Sequence, residues 1–254
     1  MHQYSGASSG LADWFRTPLG AHVLGWELAQ FDLATEDVFG YRAVQMGLHG
    51  IDFLRANRIP YRFTLALEQG AAVAADPMQL PLAGQSVDLV VLPHALELTA
   101  DPHVVLREAE RVLMPEGQLV ISGFNPLSLW RLRQAFAGRR PPPPWNERFV
   151  SLLRLKDWLH LLGFELNGGR FGCYAPPVRS EKWLARFAFM EAAGARWWPI
   201  MGGAYVVRAV KRVHGTRVIT PAWRKERARR RALAAIPQRN GHPTRQSHRR
   251  SSDG

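Results

Sequence analysis

Cysteine is nearly absent from this chain: 254 residues contain one, Cys173. A disulfide framework is thereby excluded, and so is a zinc cage built on thiolates. Long apolar runs are missing as well. The most apolar long stretch, 183–210, is interrupted by Arg186, Glu191, Arg196 and Pro199, and nothing approaches the run of about 18 apolar residues that a membrane-spanning helix needs. The opening MHQYSGASSG is polar. It lacks the apolar centre of a secretory signal, and a cytoplasmic protein is expected. Acidic residues are scarce at one end only. Residues 211–254 hold thirteen Lys and Arg against two acids, Glu226 and Asp253. That stretch carries nearly all of the formal net charge of +12, and the body before it is close to neutral. No internal repeat is visible.

What is present is enough apolar material for a sizeable core: 46% hydrophobic residues, with 12 Phe and 9 Trp. Residues 11–36 predict a helix that lies across that core. Thr17-Pro18 is its start signal, a cap with proline at the first helical position, and Leu24, Leu28 and Phe31 follow at helical spacing. Apolar runs predict strands at 41–47, 61–68, 71–76, 87–92 and 117–122, with FLRANR as a short helical turn after the first. Residues 102–114 predict an amphipathic helix whose apolar stripe is Val105, Ala109, Val112 and Leu113. A further helix is expected at 153–164, an edge or bulged strand in FELNGGRFGCY, helical aromatic structure at 178–200 and a final strand at 203–213. Continuous apolar strands alternating with helices argue for an α/β fold with a mostly parallel sheet covered on both faces. RRPPPP at 139–144 is a stiff loop. The expected organisation is an N-terminal helical segment over 1–36, a domain over 37–213 with insertions near 124–150 and 176–200, and a basic, disordered tail over 214–254.

In an open parallel sheet, ligands bind outside the carboxyl ends of the strands. Four pieces fall there: Gly47-Leu48-His49-Gly50, Glu68, Asp76-Pro77 and Pro93-His94. Glycine after the first strand lets the backbone approach a ligand. Glu68, 21 residues past Gly47, has the spacing of an acid that holds two ribose hydroxyls. Asp76 is placed to accept from an adenine-type amino group. The plainer reading makes Glu68 and Asp76 ordinary strand-end acids of turns. His94, Glu97 and His103 cross a strand end, a loop and a helix start with no further ligand cluster, and no metal site is expected.

The segments D-P-M-Q-L-P-L, S-V-D-L-V-V, H-A-L-E and D-P-H-V-V-L-R-E-A-E-R-V-L-M-P-E-G-Q-L-V-I-S follow one another across 76–125. This order resembles the central part of class I S-adenosylmethionine-dependent methyltransferases, most closely the broad group that includes ubiquinone and menaquinone C-methylating enzymes. The resemblance extends from about 41 to 212. It implies a Rossmann-like seven-stranded sheet whose last strand is antiparallel, with S-adenosylmethionine as cofactor and a small-molecule acceptor. It also implies that Asp76, with Pro77 beside it, contacts the adenine, that Glu68 holds the ribose, and that His94 borders the methionine end, where it is the first candidate for a catalytic group. Gly47 matches the first glycine of the family's loop. The chain departs from the pattern at Gln45, where the family has an acid, and at His49 and Ile51, where it has glycines. Seven residues separate Glu68 from Asp76, too few for the usual helix, and Leu98 stands in place of the family's second His. Two readings stay open. Either the chain is a methyltransferase in which His49 helps reshape the cofactor loop, or it is a methyltransferase-like binding or scaffold protein without activity.

The resemblance further implies that insertions select the substrate. Leu129, Leu132 and Phe136, with Trp130, make an amphipathic helix rimmed by Arg131, Arg133, Arg139 and Arg140; Trp183, Phe187, Phe189, Trp197 and Trp198 make a second, aromatic insertion. As helical lids they suit an apolar, lipid-like or quinone-like acceptor; in the plainer reading they cap the core. In the tail, Trp223 followed by RKERARRRALAA suits nucleic acid or an anionic membrane, or else a solvated tail without a partner.

Overall fold

Strand β4 (Val87–Pro93) is the centre of the sheet, and its sequence shows why it is buried on both faces: VDLVVLP carries no charge beyond Asp88. Leu89 and Val91 enter one apolar cluster, and Val87, Val90 and Leu92 enter another. Asp88 is used for architecture. Its Oδ2 accepts from the amides of Tyr41 (2.8 Å) and Arg42 (3.0 Å), which fixes the start of β1 (Arg42–Met46). The remaining strands are β2 (Tyr61–Ala66), β3 (Val73–Ala74), β5 (Leu113–Phe124), β6 (Phe164–Gly172) and β7 (Ala204–Lys211). Their order is β3-β2-β1-β4-β5-β7-β6. The first five run parallel, and β7 is antiparallel to both of its neighbours. This is the expected seven-stranded, mostly parallel sheet with an antiparallel last strand. In this computed structural model the described residues are 10–67, 70–131, 144, 148–178 and 180–212. They belong to a unit spanning 1–213; the second unit, 214–254, lies outside them, and with it the expected basic tail.

Six helices are described by name: α1 (Pro18–Thr35), α2 (Ala95–Leu98), α3 (Pro102–Val112), α4 (Leu152–Leu161), α5 (Glu181–Arg186) and α6 (Phe189–Trp197). None is long and apolar enough to cross a membrane. One face of the sheet is covered by α3 and α4, which contribute Val105, Leu106, Ala109, Leu155 and Leu159 to its cluster. Helix α3 starts where Asp101 Oδ1 accepts from His103 N (3.0 Å) and Val104 N (3.4 Å), with Pro102 at the first position. It stops at Val112, and Leu113 belongs to β5 rather than to the helix. The strand is longer than the 117–122 expected. Its register shifts between the Val87–Leu113 and Leu89–Gln118 pairs, which absorbs Pro115-Glu116-Gly117.

On the other face, the crossovers of a parallel sheet ordinarily supply helices. Here residues 47–60 between β1 and β2 are turns, and the described residues between β2 and β3 hold no helix. Helix α1 covers this face instead. Its Val23 and Phe31 join Phe53, Leu54 and Ile59 of the turns against Leu89, Val91, Val120 and Val206 of the sheet. Residues 10–15 form a separate helical turn, so the predicted 11–36 helix is broken at Arg16 and Thr17. The break has a cause. Thr17 Oγ1 accepts from Gly20 N (3.2 Å) as the cap of α1 and donates to Trp14 O (2.7 Å), and Pro18 has no N–H to continue a helix through it.

Candidate functional site

The carboxyl ends of β1 to β4 share one edge of the sheet: Met46 is level with Leu65, and Ala66 with Ala74. Beyond this edge lie the turn after β1, Asp76-Pro77 and Pro93-His94. Gln45, fully buried, staples the turn. Its Nε2 donates to Ile51 O (2.7 Å), Leu48 O (3.2 Å) and Gly47 O (3.3 Å), and its Oε1 accepts from Phe53 N (3.0 Å). An ionised carboxylate has no proton to offer three carbonyls, so the amide is what closes this turn. Gly47 has φ +85° and Leu48 φ +44°. Glycine is required here for the left-handed backbone, and space is short: a Cβ would lie 3.3 Å from Pro93 O and 3.5 Å from Ala95 Cβ.

His49 is half-buried and reaches toward the end of β2, where a Cβ on Gly70 would lie 3.4 Å from its Nε2. Glu68 lies outside the described residues. Asp76 is half-buried. Its Oδ1 accepts from Met78 N (2.8 Å) and its carbonyl from Gln79 N (2.9 Å), an Asx turn that holds the buried Pro77.

His94 stands at the predicted strand end with φ +52°, but it is 0% exposed. Nδ1 is 2.6 Å from Glu97 Oε2 and Nε2 is 2.8 Å from Glu27 Oε1. Its ring packs between Phe124 (centroids 4.3 Å) and Phe15 (5.7 Å). Glu97 uses its other oxygen to accept from Phe124 N (2.7 Å). Burial alone lowers the His94 pKa, but the Glu27 charge and hydrogen bond, with those of Glu97, outweigh it and lift the imidazole to about 10. Burial raises the Glu97 pKa, and the His94 contact offsets only part of that. The expectation that His94 meets an acceptor as a catalytic group fails on this geometry, because both nitrogens are engaged and no face of the ring is open. It anchors α1 to the end of β4.

Glu27 is not among the residues the sequence singles out, and Glu97 stands out there only within H-A-L-E and in its spacing to His94 and His103. A signal for Glu27 exists: Val23, Glu27 and Phe31 recur every four residues on one stripe of α1, all buried. An acid centred on an apolar stripe calls for a polar or cationic partner. His103 lies elsewhere, on α3 with its ring 4.1 Å from that of Trp158. Of the first insertion, Leu132, Phe136, Arg133, Arg139 and Arg140 lie outside the described residues. Trp130 is buried and donates from Nε1 to Ala175 O (3.1 Å), while Leu129 is exposed. The second insertion forms α5, α6 and the turn Pro199–Met201, between the carboxyl end of β6 and the start of β7.

The strand order and the antiparallel β7 define a class I methyltransferase fold. A family model described as a methyltransferase domain matches residues 45–121. Over this segment and in its fold the chain is similar to class I S-adenosylmethionine-dependent methyltransferases. It is 51% identical over 100 residues to the uncharacterized protein YafS of Escherichia coli (strain K12), covering 39% of this chain and 42% of that one. Over 94 residues it is 40% identical to malonyl-[acyl-carrier protein] O-methyltransferase of Laribacter hongkongensis, covering 37% of this chain and 31% of that one. The match therefore spans less than half the length of each of these relatives. A solved SAM dependent methyltransferase from Archaeoglobus fulgidus superposes with a TM-score of 0.53 at 18% identity, covering 75% of this chain and 94% of that chain. That likeness speaks to the fold.

Proposed function

We propose that the chain transfers a methyl group from S-adenosylmethionine to a small-molecule acceptor. The observation that carries this reading is the left-handed Gly47-Leu48 turn set against the end of β4, inside the segment that the methyltransferase model matches. In this reading the Gly47 turn and His49 line the amino-acid half of the cofactor, Glu68 its ribose, and Asp76 with Pro77 its adenine. The residues fit such a ligand: the Asx turn of Asp76 uses only Oδ1, and a Cβ at Gly50 would meet nothing within 4 Å. When bound, the cofactor supplies a methyl group activated on a sulfonium. The chain's own part is to orient the reactants and exclude water. The Glu27–His94–Glu97 cluster, packed with Phe15 and Phe124, holds α1 against the end of β4 behind the carboxyl edge of the sheet. The acceptor class that suits the aromatic second insertion is apolar.

One observation favours a second reading. Gln45 holds the acid's place and ties up three carbonyls of the loop. In this reading the chain is a binding or scaffold protein that keeps the fold without activity, with the basic tail contacting nucleic acid or an anionic membrane. Calorimetric titration separates the two. S-adenosylmethionine and S-adenosylhomocysteine are expected to bind; no heat from either at millimolar concentration removes the enzyme reading. Asp76→Ala is expected to weaken binding by about 1–3 kcal/mol, the loss of a buried hydrogen bond. Unchanged affinity would refute the adenine assignment.

A further inference from the structure

The connection between β6 and β7 exposes an unusual amount of apolar surface. Trp183 is 50% exposed, Phe189 66%, Trp197 72% and Ile200 60%, and Trp198 and Met201 lie beside them. Leu127 and Leu129 of the first insertion are exposed nearby, because Asn125 Nδ2 donates to the carbonyls of Ile200 (2.8 Å) and Gly202 (2.9 Å). The helices dock through small contacts, with Leu184 buried and Gly194 pressed on the Tyr174 ring, and their large rings face outward. The exposed charges of residues 182–201 are of one sign. Lys182, Arg186 and Arg196 are exposed, and the Arg186 guanidinium lies 5.5 Å from the Trp183 ring. The one acid of residues 182–201, Glu191, is turned inward, accepting from Cys173 N (3.1 Å) and Ala175 N (3.4 Å). Contiguous apolar patches of this kind mark a partner surface.

We infer that α5, α6 and the Pro199–Met201 turn insert into an anionic lipid bilayer. Charge selects this occupant. Among the described side chains of this face, rings are interleaved with three exposed cations while Glu191 is half-buried and bonded inward, which matches anionic headgroups above an apolar interior, whereas a second copy of the same face would set cation against cation. Placement gives the surface a use. It lies at the carboxyl edge of the sheet, so an acceptor dissolved in the bilayer reaches the site without crossing water. That last step rests on the methyl-transfer reading; the lipid surface does not.

The test uses the full chain with vesicles of phosphatidylglycerol and phosphatidylethanolamine, and with phosphatidylcholine vesicles, each also made with brominated acyl chains. Co-sedimentation with the anionic vesicles and quenching of Trp fluorescence by the brominated chains are expected. Phe189→Ser combined with Trp197→Ser should lower partitioning by roughly tenfold or more, the effect of losing large buried apolar side chains, with melting temperature unchanged. Lys182→Glu combined with Arg186→Glu should weaken binding to the anionic vesicles. Absence of quenching, or undiminished partitioning of the double aromatic variant, overturns the inference and leaves adsorption by the tail. Self-association abolished by the aromatic substitutions, with no vesicle binding, overturns it in favour of a second copy. Lipid quenching without S-adenosylmethionine binding would reject methyl transfer and keep the lipid surface.

Discussion

A histidine between two glutamates carries its charge where charge is costly, and the cost is met by geometry. His94 is bonded at both nitrogens, and removing it leaves Glu27 and Glu97 facing each other without a cation. His94→Gln is therefore expected to destabilise the fold by about 3–5 kcal/mol, the usual result of breaking a buried ionic cluster. The sign of the pH effect follows from the shift. The folded pKa, about 10, lies above the ordinary 6.5, so the stabilisation is complete below pH 6.5 and is lost as pH rises through about 10. Glu97, also raised, pushes the same way at lower pH. Urea titrations from pH 6 to 10 should show falling stability in the parent chain and a flatter profile in His94→Gln; equal slopes would refute the assignment. The residues of this cluster were unequally legible. His94 is marked by its strand-end position. Glu27 is marked only as an acid on the apolar stripe of α1, and its pairing is not legible, because it lies 67 residues from His94 and no spacing links the two. Gln45 is visible as a departure from the family pattern, yet its role depends on a turn that no periodicity encodes.

At the scale of elements, local signals were reliable and pairing signals were not. Thr17-Pro18 and Asp101-Pro102 start helices because the cap and the ring act within a few residues. The long entry of β5 is set by pairing with Val87, across an intervening helix, and cannot be read from its own residues. FLRANR suggests a short helical turn, but Arg62 Nη1 and the Asn57 side chain hold this region as turns by bonding carbonyls around it. The docking of α1 can be tested at β6. A Cβ on Gly172 would lie 2.1 Å from the Trp26 ring, whereas one on Gly168 would meet nothing within 4 Å. Gly172→Ala is expected to cost about 1–3 kcal/mol by overpacking and to shift Trp fluorescence to the red. Gly168→Ala should change stability by less than about 0.5 kcal/mol. Equal effects in the two variants would show that the contact does not hold the helix.

For the molecule as a whole, the alternation of strands and helices points to the class of sheet, and the resemblance over 76–125 implies its seven strands and antiparallel last strand, while the strand order comes from the structure. The thin side of the sheet was half legible. The seven residues between Glu68 and Asp76 exclude a helix by length, but the β1–β2 connection is long enough for one and folds as turns. That asymmetry predicts uneven stability. Strands β1, β4 and β5 are paired on both sides and buried, whereas β3 has two residues and one neighbour. Amide exchange should be slowest in β4 and β5 and fast at Val73 and Ala74; equal protection would contradict the edge role of β3.

Helix α1 covers a face that the crossovers leave bare, and it is made before anything it covers. During synthesis, Glu27 waits 67 residues for His94, roughly 3–13 s at the ~5–20 residues per second of translation. Trp26 waits far longer for Gly172. Throughout that interval the Val23–Phe31 stripe is an uncovered apolar surface on a nascent chain, the kind of segment that chaperones at the ribosome hold.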